Sequence, residues 1–162
     1  MTLGPTGVEV DVPKVQEKKI LLVEEDSAKT RFWERCLKET GEHVHHVTCS
    51  FEEAQHLLKD ERYDLLISEV NLKDKHGFEL SRLAKAKNPA IEVIFTTSYK
   101  TDFSRYHLSD SHFHFLQQPF INVSEIAQFI SRLLYGKNVY ASAPEDSFTE
   151  DEIYPQVTRW KL

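Results

Sequence analysis

Three runs of nearly continuous apolar residues recur along the chain: Lys18–Val23 (KKILLV), Asp64–Glu69 (DLLISE) and Glu92–Thr97 (EVIFTT). Such runs mark strands buried on both faces, as in parallel sheets. Glu42–Val47 and His112–Gln117 read as weaker strands. Helical periods lie between them. Ser27–Glu39 places Phe32, Cys36 and Leu37 on one face. Ser50 and Glu53 form a capping-box pattern ahead of Ala54, Leu57 and Leu58. Phe78–Lys87 aligns Leu80, Leu83 and Ala84, and Lys100–Leu108 is a weaker helix. Asn122–Tyr135 starts on an Asn N-cap and aligns Ile126, Phe129, Ile130, Leu133 and Leu134.

A strand followed by a helix, five times over, predicts a parallel sheet covered on both sides. Sites in such sheets form at the carboxyl ends of the strands. The pattern divides the chain into a leader over 1–17, a domain over 18–137 and an end segment over 138–162. Within the leader, Val8–Val12 alternates like a strand until Pro13. Ala141–Glu152 is a Ser/Pro/acidic linker by composition. Ile153–Leu162 turns strand-like again. It reads either as the start of a further domain or as a tail that docks on its own domain or a neighbour.

Charge follows the same division. The net charge is -6, of which residues 1–17 carry -2 and residues 141–162 carry -3, leaving -1 for the body. An acidic chain lacks the electrostatic footprint of a general nucleic-acid or anionic-membrane binder. No apolar run approaches the about 18 residues that span a bilayer. The start lacks a signal-peptide pattern. Two cysteines make no disulfide framework, so a cytoplasmic setting is expected.

The strand ends hold the candidate chemistry. They are Glu24-Glu25-Asp26, then Glu69 before Asn71…Gly77, then Thr96-Thr97-Ser98, then Gln117-Gln118-Pro119-Phe120. With KKILLVEED, DLLISEVNLKDKHGFEL, VIFTTS and FLQQPF in order, residues from about 18 to 134 resemble a receiver domain of bacterial two-component response regulators. The resemblance implies a flavodoxin-like (βα)5 three-layer sandwich with a parallel five-stranded sheet in the order 2-1-3-4-5. It also implies an acidic Mg²⁺-binding pair at Glu24 and Glu25 and a phosphoacceptor at Glu69. Thr97 matches the residue that follows the phosphoryl group, Gln118 stands at the phosphate-contacting lysine, Pro119 is the cis-proline candidate, and Phe115 is the aromatic switch.

Two positions depart from that family. Glu69 is one methylene longer than the usual Asp. Mg²⁺ demands near-octahedral geometry at ~2.0–2.1 Å, and in-line attack tolerates errors of only about 1 Å. Gln118 supplies no cation where phosphoryl transfer relies on charge stabilisation. The expectation is a degenerate pseudo-receiver, not an enzyme, that acts by protein–protein contact. Its alternatives are an active receiver phosphorylated on Glu69, or a metal or ligand sensor that uses the acidic pocket.

No cofactor is expected; the alternative is a divalent cation on Glu24, Glu25 and Glu69. These three glutamates are expected together with no lysine opposite, with Gln118 and Thr97 hydrogen-bonded to Glu69. Glu69 also lends itself to imitating a phospho-aspartate, an idea that an outward Phe115 and a Thr97 turned away would defeat. Phe103, Tyr106, Phe113 and Phe115 point to an interaction face made by the last two helices and the last strand. That face suits a protein partner, an output domain or a second copy of the chain.

The remaining residues invite plainer readings. His43 and His45 share a strand face and could ligate one metal, but no Cys or carboxylate sits at a ligand spacing beside them, and solvent-facing histidines on an edge strand are the favoured reading. Cys36 reads as a small core residue and Cys49 as an exposed one.

Overall fold

The structure is a computed structural model. It describes residues 17–41, 43–73, 75–97, 112–118 and 122–136, and the backbone of 157–159. Residues 1–16 of the leader, the predicted helix over 100–108 with Phe103 and Tyr106, Pro119, and the linker over 141–152 lie outside the described residues.

The strands are β1 (Lys18–Val23), β2 (His43–Thr48), β3 (Leu65–Glu69), β4 (Asn71–Leu72), β5 (Lys75–His76), β6 (Glu92–Thr97), β7 (Phe113–Gln117) and β8 (Val157–Arg159). The helices are α1 (Ser27–Glu39), α2 (Phe51–Asp60), α3 (Gly77–Lys87) and α4 (Val123–Tyr135). The main sheet runs β2-β1-β3-β6-β7-β8. Its first five strands are parallel, in the order expected from the sequence. β8 pairs antiparallel with β7, with Phe115 opposite Thr158.

Alternate residues of each central strand feed two cores. Leu21, Val23, Leu66, Val93 and Phe95 pack beneath α2 and α3. Ile20, Leu22, Leu65, Ile67 and Ile94 pack beneath α1 and α4. Burying each such side chain stabilises the fold by about 1.5–3 kcal/mol.

In α1 the buried face is Trp33, Cys36 and Leu37, while Phe32 is only partly covered. The expected face is thus rotated by one residue. Position 33 precedes 36 and 37 by three and four, so the larger indole takes the inner position. Asp26 caps α1 through a hydrogen bond from Lys29 N to its Oδ1 at 2.9 Å, a contact worth about 1 kcal/mol. Asn122 caps α4 in the same way. α4 closes on Gly136 at φ 78°, a backbone shape that suits glycine.

The loop after β3 holds a small antiparallel ribbon, β4 with β5, that the apolar pattern did not announce. Its turn passes through Lys73 at φ 48°. Gly77 then starts α3 directly against the end of β3. A side chain there would overlap the Glu69 carbonyl oxygen and crowd Ser68 Oγ at 2.8 Å. Only a glycine lets α3 begin so close to the site.

Candidate functional site

The carboxyl ends of β1, β3, β6 and β7 bring Glu24, Glu25, Glu69, Thr97 and Gln118 to one end of the sheet. Backbone bonds hold these tips in register. Glu24 N donates to Thr48 O at 3.0 Å, Val70 N to Thr96 O at 2.9 Å, and Gln118 N to Thr97 O at 2.8 Å. Glu24 and Thr97 are buried, while Glu25, Glu69 and Gln118 are partly exposed.

The carboxylates are not equivalent. Glu24 Oε1 accepts from the Asp26 backbone N–H at 3.1 Å. Burial raises its pKa, and the neighbouring Glu69 adds to that, against the opposing pull of the Asp26 N–H. Glu69 is also raised, first by burial and then by Glu25 and Asp26, with Lys29 working against them. Lys29 Nζ lies 3.8 Å from Glu69 Oε1.

This ion pair corrects the expectation that no lysine faces the acidic cluster. The cation comes from α1, where Lys29 is the third residue after the Asp26 cap. An Asp followed three residues later by Lys at the end of the first strand was the only sequence signal for it.

An open cavity of about 620 Å³ flanks the acidic pair, lined by Glu24, Glu25, Arg31, Thr48 and Cys49 among others. Cys49 is exposed there and Cys36 is buried in the core. Phe115 points inward. It is 2% exposed, and its ring stacks on Phe95 with centroids 5.4 Å apart. Phe113 is half-buried, edge-on to Phe95. Lys85 Nζ sits 5.4 Å from the Phe113 ring centre. Both residues line a groove of about 460 Å³ with Phe78 and Arg82.

The sequence profile of the response regulator receiver domain matches residues 20–131, more than half of the chain. The chain belongs to the response regulator receiver domain family. It is 32% identical over 82 residues to the response regulator receiver protein CpdR of Brucella abortus, covering 51% of this chain and 68% of that protein. It is 30% identical over 118 residues to the sensor kinase CckA of the same organism, covering 71% of this chain but only 12% of that protein. The crystal structure of the receiver domain of the hybrid histidine kinase CckA superposes with a TM-score of 0.57 at 25% identity, over 72% of this chain and 98% of that one. A CheY-like receiver from Methanospirillum hungatei JF-1 superposes at 0.61 and 21% identity, over 73% of this chain and 94% of that one. The flavodoxin-like fold is therefore that of receiver domains.

The receiver family implies Mg²⁺ beside the phosphoacceptor. The residues here do not fit it. One Glu24 oxygen is engaged by the Asp26 N–H, and Lys29 already faces Glu69. Among the described residues, no group of three or more His, Cys, Asp or Glu side chains is placed to hold a metal ion. No described helix is long and apolar enough to cross a membrane.

Proposed function

We propose that this receiver domain signals by protein contact and without phosphorylation of an aspartate. The observation that carries the reading is the Glu69–Lys29 pair. At the phosphoacceptor position stands a glutamate whose pKa is raised by burial and whose counter-charge comes from its own chain. Gln118 at the lysine position supports it, because a neutral amide neutralises no phosphoryl oxygen. The domain then catalyses no phosphoryl transfer.

Its contacts fall on the face that carries β7 and α4, with a protein partner, an output domain or a second copy as the occupant. The curated relatives bear the names of a receiver protein and a sensor kinase. The proposed setting is accordingly a two-component pathway in which this chain is a contact module.

Incubation with Mg²⁺ and acetyl phosphate, followed by intact-mass measurement, tests the reading. An unchanged mass is expected. A gain of one phosphoryl group that Glu69→Ala abolishes would show an active receiver instead.

One observation favours a related reading, in which Glu69 stands in for a phospho-aspartate. Phe115 lies inward, buried against Phe95. In that case Glu69→Ala shifts the Phe115 ring resonances in aromatic NMR spectra. Unchanged resonances would remove it.

A further inference from the structure

β2 is the edge of the main sheet, and no described strand lies beyond it. Its residues 43 and 45 project from one face, as alternate residues of a strand do. His43 Nε2 and His45 Nδ1 approach to 3.1 Å, with ring centres 5.1 Å apart and planes tilted by 36°. His43 is partly exposed and His45 exposed.

The tautomer of His43 follows from its other nitrogen. His43 Nδ1 lies 2.6 Å from the Gly41 carbonyl oxygen. A carbonyl only accepts, so Nδ1 carries the proton and Nε2 presents a lone pair toward His45. A ligating imidazole in a metal site is commonly oriented in this way, with its second nitrogen donating to a backbone carbonyl.

The spacing has a further meaning. Two nitrogens 3.1 Å apart, each ~2.0–2.1 Å from one ion, subtend about 98° at that ion. That angle lies between square-planar and tetrahedral, within the range that zinc and copper accept.

We propose that His43 and His45 form a bidentate site for a divalent transition-metal ion of the zinc–copper class, with water completing the coordination. His43 binds through Nε2 and His45 through Nδ1. In the free protein the His45 Nδ1 proton bridges the two rings. On binding it moves to His45 Nε2, so two neutral rings take up the ion with no net proton release. The site lies on the edge strand and does not draw on the acidic cluster.

Calorimetric titration of the full chain with ZnCl₂, and separately with NiCl₂, tests the assignment. One ion per chain is expected, weakened at least about tenfold by His43→Ala or His45→Ala and unchanged by His56→Ala, which removes an exposed histidine of α2. Far-UV circular dichroism checks that each variant is folded, and His45→Gln serves as a second variant at that position. Nitrogen-15 spectra of the histidine rings should show Zn²⁺ displacing the His43 Nε2 and His45 Nδ1 signals. Absence of binding overturns the proposal, as does equal weakening by His56→Ala or ligation through other nitrogens.

Discussion

Glu69 and Glu92 stand at opposite ends of the sheet, and both side chains are 19% exposed. Their acidities move in opposite directions. Burial raises Glu69, and one cation at 3.8 Å does not reverse it. Burial also works to raise Glu92, but His114 and His112 outweigh it and hold the carboxyl below its ordinary value. His114 Nε2 donates to Glu92 Oε2 at 2.7 Å, and His112 Nδ1 to Oε1 at 2.9 Å. Equal burial thus leaves the outcome to short, directed hydrogen bonds. One end of the sheet keeps a carboxylate satisfied. The other keeps carboxylates under tension, as functional sites commonly do.

The largest expected effect separates the two ends by sterics. Gly77→Ala pushes against the Glu69 carbonyl oxygen and should cost about 3 kcal/mol. Urea unfolding reads that loss, while the His112 and His114 ring resonances should stay in place. Movement of those resonances would show that the two ends are coupled.

His114→Leu should come next, at about 2 kcal/mol at neutral pH, because it leaves the Glu92 carboxylate short of a donor. The sign with pH is definite. A lowered folded pKa contributes stability above the ordinary carboxyl value of 4.5, and that contribution fades as pH falls through the lowered value. The variant and the parent should therefore converge in urea titrations at low pH. A gap that persists there would trace the loss to packing against Phe129, which His114 meets edge-on.

Glu24→Gln should act in the reverse direction. A raised folded pKa favours the fold below 4.5 and loses that contribution as pH rises through the raised value. Removing the charge should then stabilise the protein by about 1 kcal/mol at neutral pH, seen as a higher melting temperature, with no gain in acid. A destabilised variant would show that Glu24 is satisfied after all.

The smallest effect belongs to Lys29→Met. Carbon-13 titration should find the Glu69 carboxyl pKa raised further, with little change in melting temperature. An unmoved Glu69 would dismiss Lys29 as its counter-charge.

Much of this was readable along the chain. KKILLV ends at Val23 and SAKTRFWERCLKE spans 27–39 in the sequence and in the structure alike, because apolar runs and caps are local signals. The strand tips that carry Glu24, Glu25, Glu69, Thr97 and Gln118 also came from position, since parallel strands must bring their carboxyl ends together, and the resemblance to receiver domains singled out these five. Lys29 did not, because its reach depends on how the capped start of α1 sits against the end of β3. The stretch HFHFLQ was visible as a weak strand, but its histidines were not visible as donors to a carboxylate. Glu92 lies 20 residues before His112, and only the pairing of β6 with β7 brings them together.

The sequence by itself determined the order of the five parallel strands, the places of α1 to α4 between and after them, and the identity of the residues at the strand tips. Periodicity and caps act within a few residues, and the topology follows from them. The tertiary structure alone decided which charges meet. Ion pairs and hydrogen bonds depend on distances of a few ångströms between segments far apart in the chain, and no local pattern encodes those distances.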